Sequence, residues 1–88
     1  MKILKSAAAG TMESSDAYVE IEAGNGKLLI DVESVVKKQF GDRIEASVKE
    51  VCDEYEISDA KVRIIDRGAL DCVIRARVEA AIIRAKGD

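Results

Sequence analysis

Apolar and polar positions alternate twice near the start of the chain. Over residues 17–23, Val19 and Ile21 share one face while Tyr18, Glu20 and Glu22 share the other, which is the period of a half-buried strand. Gly24-Asn25-Gly26 follows and supplies residues suited to a tight hairpin turn. From Lys27 the alternation resumes, with Leu28, Ile30 and Val32 on one face and a continuation toward Val36. The pattern predicts an antiparallel hairpin.

The period then lengthens. Gly41-Asp42 reads as a break, with Asp42 as N-cap and Glu45 at capping-box spacing. Ile44, Val48, Val51, Cys52 and Tyr55 recur at helical spacing, predicting a helix to about Glu56. Residues 60–66 alternate again around Val62 and Ile64. Arg67-Gly68 turns the chain, and Leu70, Val73, Ile74, Val78, Ala81 and Ile82 form an apolar stripe that predicts a helix over 71–85. Arg75 and Glu79 are spaced to pair on its outer side.

The elements run ββαβα. The expected fold is α+β: a small two-layer domain with a three-stranded sheet, two helices on one face and a right-handed strand–helix–strand crossover. Residues 1–16 show no period and are small and polar, which predicts a flexible arm ahead of a single domain over 17–88.

Composition narrows the function. A chain of 88 residues buries only about 60–65% of its unfolded surface, which leaves little room for a deep active site. There is no histidine, so the commonest general base and metal ligand are missing, and no imidazole is available to activate a serine or cysteine. Two cysteines alone do not complete a zinc site; Cys52 and Cys72 both lie on apolar stripes and read as buried, reduced thiols. Net charge −3 and only three aromatic residues argue against nucleic-acid binding. The first ten residues are too short and too weakly apolar for a signal peptide or a membrane span, so a cytoplasmic location is expected.

The charge is uneven. Residues 13–59 carry 13 acidic and 5 basic side chains; residues 61–86 carry 7 basic and 3 acidic. Arg63, Arg67, Arg75, Arg77 and Arg84 in the basic half are candidates for contacts with phosphates or an acidic partner surface, against the plainer reading of a solvated face.

Two serines stand out as attachment points. Ser34, in Glu33-Ser34-Val35, has only a faint likeness to the Asp-Ser-Leu motif of four-helix acyl carriers. The other lies in Gly10-Thr11-Met12-Glu13-Ser14-Ser15-Asp16, two hydroxyls between carboxylates. Taken alone, Ser-Ser-Asp is a common turn or cap.

That run resembles the Gly-Thr-Leu-Glu-Ser-Ser-Asp signature of citrate lyase acyl carrier (gamma) subunits, with Met12 in place of Leu. Gln39-Phe40-Gly41 with Ile44 is similar to a second block of that family. Asp66-Arg67-Gly68-Ala69-Leu70-Asp71-Cys72 is similar to a third, with Arg67 replacing Lys. The resemblance implies a carrier without catalysis of its own. It implies phosphoribosyl-dephospho-coenzyme A joined to Ser14 by a phosphodiester, delivered from a triphosphoribosyl precursor by a prosthetic-group transferase. In that family the arm holds an acetyl or citryl thioester, the alpha (transferase) subunit exchanges the two, and the beta (lyase) subunit releases oxaloacetate. A malonate decarboxylase carrier, or an interaction module without a prosthetic group, are the alternatives.

Overall fold

In the computed structural model, which describes residues 2–86, the chain folds as β1 (Ala7–Gly10), β2 (Ala17–Ala23), β3 (Leu28–Ser34), α1 (Lys37–Glu54), β4 (Ala60–Asp66) and α2 (Asp71–Ala85). The domain is α+β with two helices, as the sequence predicts, but its sheet is four-stranded and mixed, in the order β1-β2-β4-β3.

Two expectations about the strands need correction. First, Ala7–Gly10, placed in an arm by the sequence, is a fourth strand paired antiparallel with β2, Ala7 opposite Ile21 and Gly10 opposite Tyr18. Its Ala-Ala-Ala-Gly sequence offers no contrast between faces, so alternation could not reveal it. Upstream, Ile3 is buried, and the Leu4 and Lys5 N–H groups donate to the Ala85 carbonyl at 3.1 and 3.2 Å.

Second, β2 and β3 do not pair as a hairpin. β4 lies between them, antiparallel to β2 (Ala17 opposite Asp66) and parallel to β3 (Ser34 beside Asp66). Residues 24–27 must therefore cross the start of β4, a gap of about 9.6 Å at two strand spacings. Asp59 holds the crossing by accepting from the Gly26 N–H at 2.9 Å, and the Ala60 N–H donates to the Lys27 carbonyl at 3.2 Å. Gly24 is packed so closely that a Cβ there would lie 2.6 Å from Asp59 Oδ1.

One sheet face is covered: α2 packs on β1 and β2, α1 packs on β3, and the helices touch each other. Val19, Ile21, Val62 and Ile64 meet Val48, Cys52, Val78 and Ile82 in one core. α1 begins five residues before the expected Asp42 cap, so Gly41 lies inside the helix, and Val36 occupies the N-cap without a side-chain hydrogen bond. α2 and β4 match their predicted spans. Leu70, assigned to the buried stripe, is 72% exposed because it caps α2 outside the first turn. Cys52 is buried, which pushes its thiol up to about 11, but Cys72 is exposed. No helix among the described residues is long and apolar enough to cross a membrane.

Candidate attachment site

Topology gathers three connections at one end of the sheet: the β1–β2 loop (residues 11–16), the β3–α1 junction (35–36) and the β4–α2 turn (67–70). Backbone hydrogen bonds stitch them together. The Ser15 N–H donates to the Arg67 carbonyl, the Arg67 N–H to the Asp16 carbonyl, both at 2.9 Å, and the Val35 N–H to the Asp66 carbonyl at 3.3 Å.

Within the β1–β2 loop nearly every residue has a structural task. Gly10 turns the chain at φ 95°, and a Cβ there would lie 1.9 Å from the Ala17 carbonyl oxygen, so no other residue fits undisturbed. The Thr11 hydroxyl donates to Asp16 Oδ2 at 2.7 Å and accepts from the Glu13 N–H at 3.2 Å. Asp16 also accepts from its neighbour's Ala17 N–H at 2.7 Å. Arg77 on α2 closes the loop from outside, its Nε and Nη2 donating to the two Asp16 oxygens at 3.0 and 2.9 Å. This planar two-bond fork is the strong form of a carboxylate–guanidinium pair. The Arg77 hydrogen bonds, helped by Thr11 and the Ala17 N–H, hold the Asp16 carboxyl far below the usual carboxylate range.

The Asp16 N–H donates to the Glu13 carbonyl at 3.1 Å, closing a four-residue turn with Ser14 and Ser15 at its centre. Ser15 has φ 66°. A positive φ at the third position alone marks a type II-like turn, in which a non-glycine residue is strained. Ser14 is left at the apex. It is exposed, and its hydroxyl makes no hydrogen bond among the described residues. Ser15 is exposed too, but its backbone is held by Arg67.

Ser34 lies at the same end and is engaged. Its hydroxyl donates to Asp66 Oδ2 at 2.7 Å and accepts from the Val36 N–H at 3.0 Å. Asp66 is buried, and its other oxygen accepts from the Ala69 N–H at 2.9 Å.

The five arginines do not form one patch. Arg63 sits on the open sheet face between Glu20 and Glu33, at 3.5 and 3.7 Å. Arg75 bonds Asp71 at 2.7 Å and also Glu50, rather than the expected Glu79; the Glu79 carboxylate instead acts on the Tyr55 hydroxyl and raises that phenol's pKa. Arg77 is held by Asp16, and Arg84 donates to the Ala8 carbonyl at 2.8 Å. Arg67, whose backbone adjoins Ser15 and Asp16, is exposed, and its guanidinium has no partner among the described residues. The sequence marked the Ser14 motif but not the Asp16–Arg77 clasp beneath it, whose members are 61 positions apart.

A shallow groove of about 640 Å³ crosses the open face of the sheet along Glu20, Leu29, Lys61 and Arg63. Ser14 is not among its lining residues.

The family model for the malonate decarboxylase delta subunit matches residues 4–85. The chain is 53% identical over 85 residues to the citrate lyase acyl carrier protein of Cronobacter sakazakii and 51% identical to that of Lactococcus lactis. Each alignment covers 97% of this chain and 88% of the relative. Among solved structures, a chain of a Pseudomonas malonate decarboxylase hetero-tetramer in complex with malonate superposes with a TM-score of 0.80 at 26% identity, covering 97% of this chain and 92% of that one.

Proposed function

The chain belongs to the citrate lyase acyl carrier protein family, within the wider group of carriers matched by the malonate decarboxylase delta model, and from that premise we propose that Ser14 is where its prosthetic group is attached. It is a non-catalytic carrier subunit. The observation that carries the Ser14 assignment is the division of labour in the loop: Gly10, Thr11, Glu13, Ser15 and Asp16 hold its shape, while the Ser14 hydroxyl at the apex is left free.

The residues present fit a group joined through a phosphodiester. The Ser14 oxygen is accessible to an attaching enzyme, and the unpaired Arg67 guanidinium belongs to the residue whose backbone is bonded to Ser15 and Asp16, from which it would offset phosphate charge. Ser34 suits the role poorly, because modification would remove the hydroxyl donor from the buried Asp66 carboxylate. The group is proposed to be phosphoribosyl-dephospho-coenzyme A, whose terminal thiol supplies the thioester chemistry when it is bound.

The protein's own contribution is placement. The Asp16–Arg77 fork and the Gly10 turn fix the anchor on a rigid domain. A flexible tether from a fixed anchor replaces bimolecular encounter by a local concentration of order millimolar. The partners are proposed to be the alpha (transferase) and beta (lyase) subunits, which together cleave citrate to acetate and oxaloacetate, and the prosthetic-group transferase that loads Ser14. Peptide mapping of protein from its native host tests this. An adduct on the Ser14 peptide is expected; an adduct on Ser15 or Ser34 overturns the assignment.

A further inference from the structure

The surface around Ser14 is unusual in two independent respects. Four large apolar side chains are exposed there: Met12 (51%), Val35 (67%), Phe40 (45%) and Leu70 (72%). They come from four different segments: the β1–β2 loop, the β3–α1 junction, the first turn of α1 and the cap of α2. The backbone bonds from Ser15 to Arg67 and from Val35 to Asp66 bring these segments to one end of the sheet. Scattered single apolar residues need no explanation, but a convergence with a polar rim marks a contact surface.

The second respect is charge. α1 has Lys37 and Lys38 in its first turn and no acidic residue there, while its last turn holds Asp53 and Glu54 and no basic one. Both ends oppose the helix dipole, which favours anions at the N-terminus and cations at the C-terminus. Cations are thus placed beside the Ser14 end at a local energetic disadvantage, and neither lysine has an ion-pair partner among the described residues. The unpaired Arg67 adds a third positive charge. The open face of the sheet is different, carrying Glu20, Glu22, Asp31 and Glu33 against Lys61 and Arg63.

We infer that this end of the sheet is the docking face for the transferase subunit, with Met12, Val35, Phe40 and Leu70 as its apolar centre and Lys37, Lys38 and Arg67 as its basic rim. The occupant is a partner surface with an apolar floor and an acidic rim, surrounding the mouth that the arm enters. Docking by this face points Ser14 into that mouth. The inference rests on the carrier reading, since it assumes that Ser14 must approach a partner's site.

The test measures affinity for the purified transferase subunit, using carrier isolated from the native host and its Ser14 adduct scored by intact mass. Phe40→Ser with Leu70→Ser should fold normally, because both side chains are exposed, and should weaken binding about tenfold or more. Lys37→Glu with Lys38→Glu should weaken binding at low salt, with the difference shrinking as salt is raised and the Debye length falls toward about 3 Å at 1 M. Leu29→Ser, on the open sheet face, should bind like the unaltered protein. Unchanged affinity in both double variants, or weakening by Leu29→Ser alone, overturns the docking face. Absence of an adduct from the unaltered protein would instead overturn the carrier reading, and the same binding comparison on bare protein would still decide the docking face.

Discussion

Ser14 and Ser34 lie at the same end of one sheet, each just outside a strand or at its last position, and the structure treats them in opposite ways. Ser34 gives its hydroxyl to a buried carboxylate and takes a backbone N–H in return. Ser14 has neighbours whose hydroxyls, carboxylates and backbone are bonded, while its own oxygen is not. A serine that completes a buried network is costly to alter, whereas a serine held out by such a network is available for chemistry. Accessibility is therefore a property of the surrounding loop more than of the serine itself.

The sharpest break in this comparison is Ser14→Ala. It should abolish the adduct completely while changing stability by no more than about 0.5 kcal/mol, since an exposed hydroxyl without partners is removed. Intact mass and urea unfolding of the same preparation check both halves.

Gly10→Ala tests whether the loop's shape matters. The added Cβ meets the Ala17 carbonyl oxygen at 1.9 Å in a backbone region that alanine avoids. Destabilisation well beyond about 1 kcal/mol is expected in urea unfolding, and loading should slow because the apex is displaced.

Ser34→Ala should do the reverse of Ser14→Ala. It strips a hydrogen bond from the buried Asp66 carboxylate and an acceptor from the Val36 N–H, a loss of about 1–3 kcal/mol. The adduct should still form. A Ser34→Ala protein as stable as its parent would show that the Asp66 network contributes nothing.

The Asp16–Arg77 clasp gives the comparison a pH dependence. Asp16 has a folded-state pKa depressed well below its ordinary 3.8, chiefly by Arg77. Its contribution to stability is thus fully present above that ordinary value and is lost as pH falls through the lower, folded-state one. The stability gap between the unaltered protein and Asp16→Asn should be constant above about pH 5 and should narrow progressively below about pH 4. Thermal unfolding in a pH series reads this; a gap that persisted undiminished to strongly acid pH would mean the clasp acts by shape and not by charge.

Ser15→Gly should have the smallest effect. Ser15 occupies φ 66°, which glycine adopts without strain. Stability should rise by no more than about 1 kcal/mol, and Ser14 should still be loaded. Loss of the adduct in this variant would transfer part of the recognition to the second serine.

How far the sequence reaches differs from element to element. Val19 and Ile21, Leu28 to Val32, and Val62 and Ile64 carry an inside–outside contrast of period two, because a sheet covered on one side needs it, and so three strands are legible. α2 is legible for the same reason at helical spacing, apart from Leu70 and Cys72, where a neighbouring cap or turn exposes a residue that the stripe would bury. The Gly10–Asp16 motif is legible as a motif, because its seven residues are contiguous. Tertiary structure alone decided the rest. Periodicity reports which side of a strand is wet but not which strand lies beside it, so β4 could come between β2 and β3 unseen. Ala7–Gly10 has no contrast to display and became a strand because β2 offered it a free edge. Most of all, the freedom of Ser14 depends on Arg77, brought to Asp16 by the packing of α2 on the first two strands. That contact joins residues distant in sequence, and only the folded chain brings them together.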